Sequence, residues 1–138
     1  MSGVPIVFLL HVVSDNMDIY LIRHAKSDHG SSWKTDDERP LADIGIKIQE
    51  KAAKGMLKKN IHYDEAWVSP FTRAKQTFAI IESVREHKTT PLEVQELQVW
   101  GSPEKVYTLL EDAYNENPHR SIILIGHNPN MSNLLHLL

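Results

Sequence analysis

Two kinds of apolar pattern take turns along the chain, one typical of strands and the other of helices. Short continuous apolar runs are typical of strands buried on both faces of a sheet, and they predict strands over 19–22, 65–69 and 121–125. A looser alternation of apolar and polar residues over 92–97, with Glu96 near its end, predicts one further extended segment. Longer segments with apolar residues three and four positions apart separate these runs, and they predict helices.

Four helices are predicted, and three of them have a recognisable start signal. They cover about 43–59, 70–86, 103–115 and the segment from Met131 to the end. Asp43 can cap the first helix, Pro70 opens the second at a position where proline is tolerated, and Ser102 caps the third.

The first of these helices is predicted to be amphipathic. Its apolar residues lie roughly on one side, which would face the core: Ile44, Ile48, Ala52, Met56 and Leu57. Its lysines would form the solvated side, with a basic docking face as the alternative: Lys47, Lys51, Lys54, Lys58 and Lys59. Because strands and helices alternate along the chain, we expect an α/β fold, a three-layer α/β/α sandwich with a mostly parallel central sheet.

The segment ahead of the first predicted strand stands apart from the rest. We predict that residues 1–16 are an N-terminal extension, either disordered or packed as an extra strand, and that residues 17–138 form one domain. The apolar run over 4–13 is too short to span a bilayer. No basic residue precedes it and no small-residue cleavage site follows, which argues against a signal peptide, so we predict a cytoplasmic protein.

Length, charge and composition limit the classes of function. A chain of 138 residues is long enough to bury the core of one domain. The net charge of -3 gives no electrostatic basis for binding nucleic acid or an anionic membrane, and neither is predicted as a partner. The absence of cysteine excludes disulfides, a thiolate zinc site and a thiol nucleophile. Any affinity for phosphate must therefore come from locally placed arginines.

Basic and imidazole side chains follow three of the predicted strands. Arg23 and His24 come directly after the first apolar run, and His127 follows the last one. Arg73 lies near the start of the helix that follows the run ending at Ser69. Because ligands of open α/β sheets bind beyond the carboxyl ends of strands, these side chains predict an anion pocket that contains a nucleophile.

Four motifs then carry a resemblance to a known family. They are Leu-Ile-Arg-His-Ala-Lys-Ser ending at Ser27, Arg39-Pro40-Leu41, Ser69-Pro70-Phe71-Thr72-Arg73-Ala74-Lys75-Gln76-Thr77, and Gly126-His127-Asn128-Pro129. With these motifs in this order, the sequence resembles the histidine phosphatase superfamily, whose fold is phosphoglycerate-mutase-like. Within that superfamily it is most similar to the short SixA-type phosphohistidine phosphatase branch. The similarity runs from about Met17 to the end of the chain.

The resemblance implies roles for the residues at the strand ends. His24 matches the nucleophile that accepts the phosphoryl group on a ring nitrogen, for which the ring must be neutral. Arg23 and Arg73 match the phosphate clamps, and His127 matches the second histidine of the phosphate-binding pocket. Two further polar residues of the motifs could support the pocket or merely cap turns: Ser69 and Asn128.

The general acid is predicted less directly. The resemblance implies a carboxylate that protonates the leaving group, and Glu96 falls where that group would arrive. The rivals are three aspartates of the loop after the nucleophile: Asp28, Asp36 and Asp37. A phosphohistidine substrate needs little acid, because an imidazole leaves far more readily than an alkoxide.

The resemblance implies a metal-independent phosphohydrolase with a phosphohistidine enzyme intermediate and no cofactor. The expected substrate is phosphohistidine in proteins. The alternatives are hydrolysis of small phosphoesters or polyphosphate, and a phospho-ligand binding module without turnover. The sequence makes no prediction of the oligomeric state.

Two departures from the family pattern accompany these expectations. Ala25 stands where glycine is commoner in the superfamily, although alanine fits the SixA-type branch. Family members usually continue past the last helix, whereas this chain stops at Leu138, so we expect a domain truncated at its C-terminal end. A natural short isoform, a fragment and a displaced start are the alternative explanations.

Overall fold

A computed structural model of the protein describes residues 9–14, 17–30 and 33–138, with the backbone alone for the first of these segments. Its strands are β1 (Leu9–Ser14), β2 (Met17–Arg23), β3 (Glu65–Val68), β4 (Pro91–Glu93) and β5 (Ser121–Gly126). Its helices are α1 (Asp43–Lys58), α2 (Thr72–Ser83), α3 (Pro103–Glu116) and α4 (Asn130–Leu137). Two 3-10 helices, Asp36–Glu38 and Gln95–Leu97, lie in the connections.

The strands form one five-stranded sheet in the order β1-β2-β5-β3-β4. β2, β5, β3 and β4 run parallel, and β1 pairs antiparallel with β2 at the edge. In this register Arg23 lies opposite Gly126, and Val68 lies opposite Ile125. The carboxyl ends of β2, β5 and β3 therefore meet at one edge of the sheet, as the positions of the motifs predict.

Apolar side chains pack on both faces of the sheet. Successive residues of β5 alternate between the two faces, and the four residues of 122–125 are fully buried. One core cluster joins one face of the sheet to α3 and α4, through residues such as Leu110 and Leu134. The other cluster joins the opposite face to α1 and α2, through residues such as Met56 and Phe78. The predicted three-layer α/β/α sandwich is confirmed, with two helices on each side.

The predicted core face of α1 is wrong by about one residue position. Ile44 and Leu57 are exposed, and the buried residues of this helix are Gly45, Gln49, Ala53 and Met56. The cause is the close approach of α1 to the segment after β2, where a Cβ added at Gly45 would overlap the backbone oxygen of Lys26. The five lysines are exposed, as predicted. Asp43 is the first helical residue, and Ala42 precedes it as the N-cap without a side-chain hydrogen bond.

The predicted extended segment over 92–97 is only partly a strand. β4 ends at Glu93 and the chain turns into the 3-10 helix that contains Glu96. Leu92 is exposed because β4 is an edge strand, whereas Val94 and Leu97 are buried beneath α3 and α4. α2 begins two residues after Pro70 and ends before the predicted position.

The N-terminal extension divides into described and undescribed parts. Residues 9–14 form β1, so this part takes the form of the extra strand, one of the two predicted alternatives. Residues 1–8, 15 and 16 lie outside the described residues. The domain boundary at residue 17 stays a prediction. None of the helices in the described segments is both long and apolar enough to cross a membrane. The cytoplasmic location also stays a prediction.

Candidate active site

The backbone around His24 is fixed between β5 and α2. His24 follows the last residue of β2, and its backbone N–H donates to the carbonyl oxygen of Gly126 over 3.1 Å. The next backbone N–H, of Ala25, donates to Thr77 Oγ1 on α2 over 3.1 Å. Thr77 is one helical turn after Arg73 and donates to its carbonyl oxygen. The same face of α2 therefore carries Arg73 and, through Thr77, fixes the segment after β2.

Hydrogen bonding determines which nitrogen of His24 is free. Nδ1 lies 2.6 Å from the carbonyl oxygen of Ala25. A carbonyl can only accept, so Nδ1 carries the hydrogen and Nε2 of the neutral ring carries the lone pair. Arg73 Nε approaches that lone pair at 3.4 Å. The ring is partly buried, and Nε2 is the nitrogen that is available for nucleophilic attack.

The protonation of His24 is controlled by its surroundings. Burial of the ring lowers the pKa of His24 to about 4, although the hydrogen bond to Ala25 acts in the opposite direction. Three arginine charges lower it further: Arg73, Arg23 and Arg39. The ring is therefore neutral at pH 7, as a nucleophile requires.

Arg73 is a buried cation at the second position of α2, with only 3% of its surface exposed. Its guanidinium carbon lies 5.0 Å from the centre of the Phe71 ring. Nη1 donates to the backbone oxygen of Asp36 over 2.8 Å, and Nη2 forms an ion pair with Asp36 Oδ2 at 3.1 Å. The charge is thus paired, as a buried charge requires.

His127 follows β5 and closes the opposite side of the pocket. Its ring centre lies 4.9 Å from that of His24, and only 2% of the residue is exposed. Nε2 lies 2.8 Å from Ser69 Oγ, whereas Nδ1 has no hydrogen-bond partner among the described residues. Burial lowers the pKa of His127 to about 3, and the nearby His24 and Arg73 act in the same direction. Like His24, this ring is neutral at pH 7.

Asp36 and Arg39 are a part of the site that the sequence analysis did not assign. The sequence indicates Asp36 only as a rival general acid, and it places Arg39 in a motif without assigning it a role. Arg39 Nε donates to Asp36 Oδ1 over 3.0 Å, and Nη1 donates to Ser27 Oγ over 2.9 Å. Burial alone would raise the pKa of Asp36, but the hydrogen bonds and charges of Arg73 and Arg39 hold it below its ordinary value. Asp36 is therefore ionised at pH 7 and cannot donate a proton to a leaving group.

The remaining predicted residues lie at the rim. Arg23 is exposed at the end of β2. Glu96 is partly exposed, and within the described part of the chain its carboxylate makes no hydrogen bond or ion pair. The 3-10 helix that contains Glu96 lies beside the end of β5. Asn130 Nδ2, at the start of α4, donates to the two backbone carbonyl groups that directly follow this 3-10 helix. Asn128 is exposed, and its Oδ1 accepts from the backbone of Ser132 near the start of α4, which is a capping role.

Metal binding has no evident place in the described segments. No group of three or more histidine, aspartate or glutamate side chains there could hold a metal ion. The predicted independence from metal ions stays a prediction for experiment.

Comparisons with known proteins give the chain a family. Residues 19–101, more than half of the chain, match the model of the histidine phosphatase superfamily (branch 1). An uncharacterized protein of Picosynechococcus sp. (strain ATCC 27264 / PCC 7002 / PR-6) is 27% identical over 115 residues, which cover 83% of this chain and 68% of that protein.

Two solved structures share the fold closely. The protein histidine phosphatase SixA complexed with tungstate superposes with a TM-score of 0.77 at 24% identity, covering 85% of this chain and 73% of that one. The SixA protein of Agrobacterium tumefaciens gives 0.74 at 26% identity, covering 86% and 74%. The chain belongs to the histidine phosphatase superfamily, and it is an enzyme of that class.

Proposed function

We propose that the protein is a metal-independent phosphohydrolase that carries the phosphoryl group on His24 and acts on phosphohistidine in proteins. The observation that carries the proposal is the state of the His24 ring. Nδ1–H is held by the carbonyl of Ala25, and the lone pair of Nε2 faces a buried arginine. A neutral imidazole in this orientation is a competent nucleophile for phosphorus.

The reaction takes place in two displacements. In the first, the Nε2 lone pair forms a bond to phosphorus while the bond from phosphorus to the substrate nitrogen breaks, and the leaving imidazole keeps that electron pair and takes up a proton from solvent. The carbonyl of Ala25 stabilises the positive charge that develops on the His24 ring. In the second, a water oxygen attacks phosphorus, the bond to Nε2 breaks, inorganic phosphate leaves and the water proton passes to solvent.

Charged and polar groups around His24 would hold the phosphoryl oxygens. Arg73 supplies buried N–H donors beside Nε2, and Arg23 adds a charge at the rim. Ser69 Oγ accepts from the Phe71 backbone N–H, so its hydroxyl hydrogen can go to His127 Nε2. The hydrogen of the neutral His127 ring then lies on Nδ1, which has no partner among the described residues and can donate to a phosphate oxygen.

The choice of substrate rests on the leaving group. General acid catalysis typically contributes ~10²–10⁴-fold, and an alkyl phosphate needs it because an alkoxide leaves. Asp36 is ionised and ion-paired, and the carboxylate of Glu96 makes no hydrogen bond or ion pair with His24, Arg73 or His127. Phosphohistidine, whose imidazole leaves readily, suits such a site. The likeness to the Agrobacterium tumefaciens structure, which is described as a phosphohistidine phosphatase SixA and is 26% identical, supports the same substrate class.

Small phosphoesters stay the competing substrates. The fold is shared with the alpha-ribazole phosphatase from Shigella flexneri at a TM-score of 0.65, but at 16% identity this likeness carries only the fold. A phosphate-release assay with a phosphohistidine peptide, an alkyl phosphate and p-nitrophenyl phosphate separates the possibilities. We expect the phosphohistidine peptide to give the largest kcat/KM, with activity retained in chelator. Preference for the alkyl phosphate would contradict the proposed substrate.

Variants of the nucleophile and of the candidate acid complete this test. We expect His24→Ala to abolish turnover of every substrate, because no group remains to carry the phosphoryl. Glu96→Gln should reduce alkyl phosphate hydrolysis more than phosphohistidine hydrolysis if Glu96 is the acid, and equal losses would remove it from that role. An acid-labile, base-stable phosphoryl label on His24 of the wild type is the direct check of the intermediate.

A further inference from the structure

We propose that Asp36 is a positioning residue for Arg73, and that Arg39 in turn fixes Asp36. The proposal deepens the proposed function, since it rests on Arg73 binding the transferred phosphoryl group. It assigns a role to the loop between β2 and α1, which neither the motif pattern nor the comparisons assign. The proposal rests on how the donor nitrogens of the buried Arg73 guanidinium are divided between Asp36 and His24.

A guanidinium group has two edges that can each bind a pair of oxygens. One edge carries Nη1 and Nη2, and the other carries Nε together with the second hydrogen of Nη2. Asp36 occupies the first edge, with its backbone oxygen on Nη1 and its carboxylate on Nη2. Nε of the second edge lies 3.4 Å from His24 Nε2. Asp36 therefore leaves Nε to His24, so that this second edge is directed toward the nitrogen that would carry the phosphoryl group.

The Asp36 carboxylate is itself held from the other side. Arg39 Nε and Nη2 both lie 3.0 Å from Oδ1, whereas Arg73 uses Oδ2. Arg39 Nη1 is anchored on Ser27, which is buried and forms an isolated bridge with Leu41. The two carboxylate oxygens thus connect two arginines, and the outer arginine is tied to the segment that follows His24.

The physical value of this arrangement is preorganisation. A long arginine side chain loses rotamer entropy when it is fixed. Because folding already fixes Arg73, substrate binding does not have to bear this entropy loss. Displacing a catalytic contact by about 1 Å can cost on the order of 10²-fold in rate. Without the Asp36 carboxylate, Arg73 keeps its charge and its bond to the backbone oxygen of residue 36, but it loses the ion pair that helps to orient Nε toward His24.

The opposite role for Asp36 would be that of a competing anion. A carboxylate bound to the Nε edge, which approaches His24, would have to leave before phosphate could bind, and removing that carboxylate would raise activity. Asp36 instead occupies the edge formed by Nη1 and Nη2, which argues against this role. Removal of Asp36 also takes a negative charge from the pocket, which favours anion binding. The loss that we expect is therefore in kcat, with little change in KM.

The test compares three variants with p-nitrophenyl phosphate and a phosphohistidine peptide. We expect Asp36→Ala to lower kcat about tenfold with KM changed less than threefold. Asp36→Asn keeps an oxygen acceptor for Nη2 and should recover most of that loss. Glu38→Ala removes a carboxylate from the same 3-10 helix that bonds to the backbone of Lys34, and it should leave kcat unchanged.

A double-mutant cycle decides whether Asp36 acts through Arg73. If it does, Asp36→Ala should cost nothing further in an Arg73→Ala background. An additive loss there, or a higher kcat in Asp36→Ala, would overturn the proposal. Arg39→Ala covers the case in which Asp36→Ala fails to fold. It should lower kcat about threefold, again with no further loss without Arg73, and an additive loss would overturn the role of Arg39.

Binding of orthovanadate separates this proposal from the proposed function. Vanadate mimics the five-coordinate phosphorus of the transition state, and its binding by calorimetry needs no turnover. If the wild type binds vanadate but hydrolyses none of the substrates, the proposed function fails. The positioning role is then judged on affinity. About tenfold weaker vanadate binding in Asp36→Ala supports it, and unchanged binding refutes it.

Discussion

The His24 ring shows how neighbouring groups can prepare one residue for reaction. The carbonyl of Ala25 selects the tautomer, burial removes the proton, and Arg73 lies beside the free lone pair. These effects oppose one another in part, since the carbonyl favours the protonated ring and burial disfavours it more strongly. A neutral ring with a directed lone pair is the net result.

The protonation state of His24 gives the first prediction at this scale. With a pKa of about 4, the ring should stay neutral from pH 7 down to pH 5, where an unperturbed imidazole is mostly protonated. Replacing Arg73 by Gln removes a charge that lowers this pKa, so the titration should move to higher pH. Histidine ring proton shifts in NMR spectra measure both, with His24→Gln for assignment. A wild-type midpoint near 6.5 would contradict the burial argument.

The residues at the strand ends could be predicted because parallel strands place their carboxyl ends together. His24, Arg73 and His127 come from three segments and lie in one pocket, as the motif order indicates. The ion pair between Asp36 and Arg73 could not be predicted. It joins residues 37 positions apart through a polar loop that has neither periodicity nor a turn motif to fix its path.

At the scale of elements, agreement between sequence and structure depends on burial. β2 and β5 are buried on both faces, so their apolar runs were sufficient to identify them. β4 is an exposed edge strand of three residues, and its pattern predicted too long an extended segment. The pattern misplaces the α1 face because Gly45, which carries no apolar side chain, packs directly against the backbone of Lys26 in the segment after β2.

Glycine substitutions in α1 provide the element-scale prediction. Ala normally stabilises a helix interior by about 1 kcal/mol relative to Gly, and Gly55→Ala should show this gain because, apart from the neighbouring backbone of α1, no described atom lies within 4 Å of the new Cβ. Gly45→Ala should instead destabilise the protein by roughly 1–3 kcal/mol, because the new Cβ overlaps the Lys26 backbone. Urea unfolding of both variants measures the difference. A stabilised Gly45→Ala would show that α1 can move outward without cost.

At the scale of the whole molecule, the pocket is a local exception to the overall charge. The chain carries a net charge of -3, yet three arginines lie close enough to His24 to lower its pKa: Arg23, Arg39 and Arg73. Asp36 neutralises part of this charge through its ion pair with Arg73. Positive charge is thus concentrated at one edge of the sheet in a chain that is acidic as a whole.

The same neutral histidines make the folded protein sensitive to acid. His127 has a pKa of about 3 when folded and near 6.5 when unfolded, so the unfolded state binds more protons between these values. Stability from the neutral ring is complete above pH 6.5 and is lost as pH falls. At pH 5 the loss is ~2 kcal/mol for this residue, at about 1.4 kcal/mol per pH unit. His24, whose pKa is also lowered, acts in the same direction.

Urea unfolding at pH 7 and pH 5 tests this linkage. The lowered pKa values of Asp36 and Glu82 affect stability only at lower pH, so the slope between pH 6.5 and pH 5 belongs mainly to histidines. We expect His127→Gln to shrink the difference in unfolding free energy between the two pH values by ~2 kcal/mol. His62→Gln, which replaces an exposed histidine, should leave it unchanged. If His127→Gln had no greater effect than His62→Gln, the ring of His127 would titrate alike in both states, and its burial as a neutral group would be refuted.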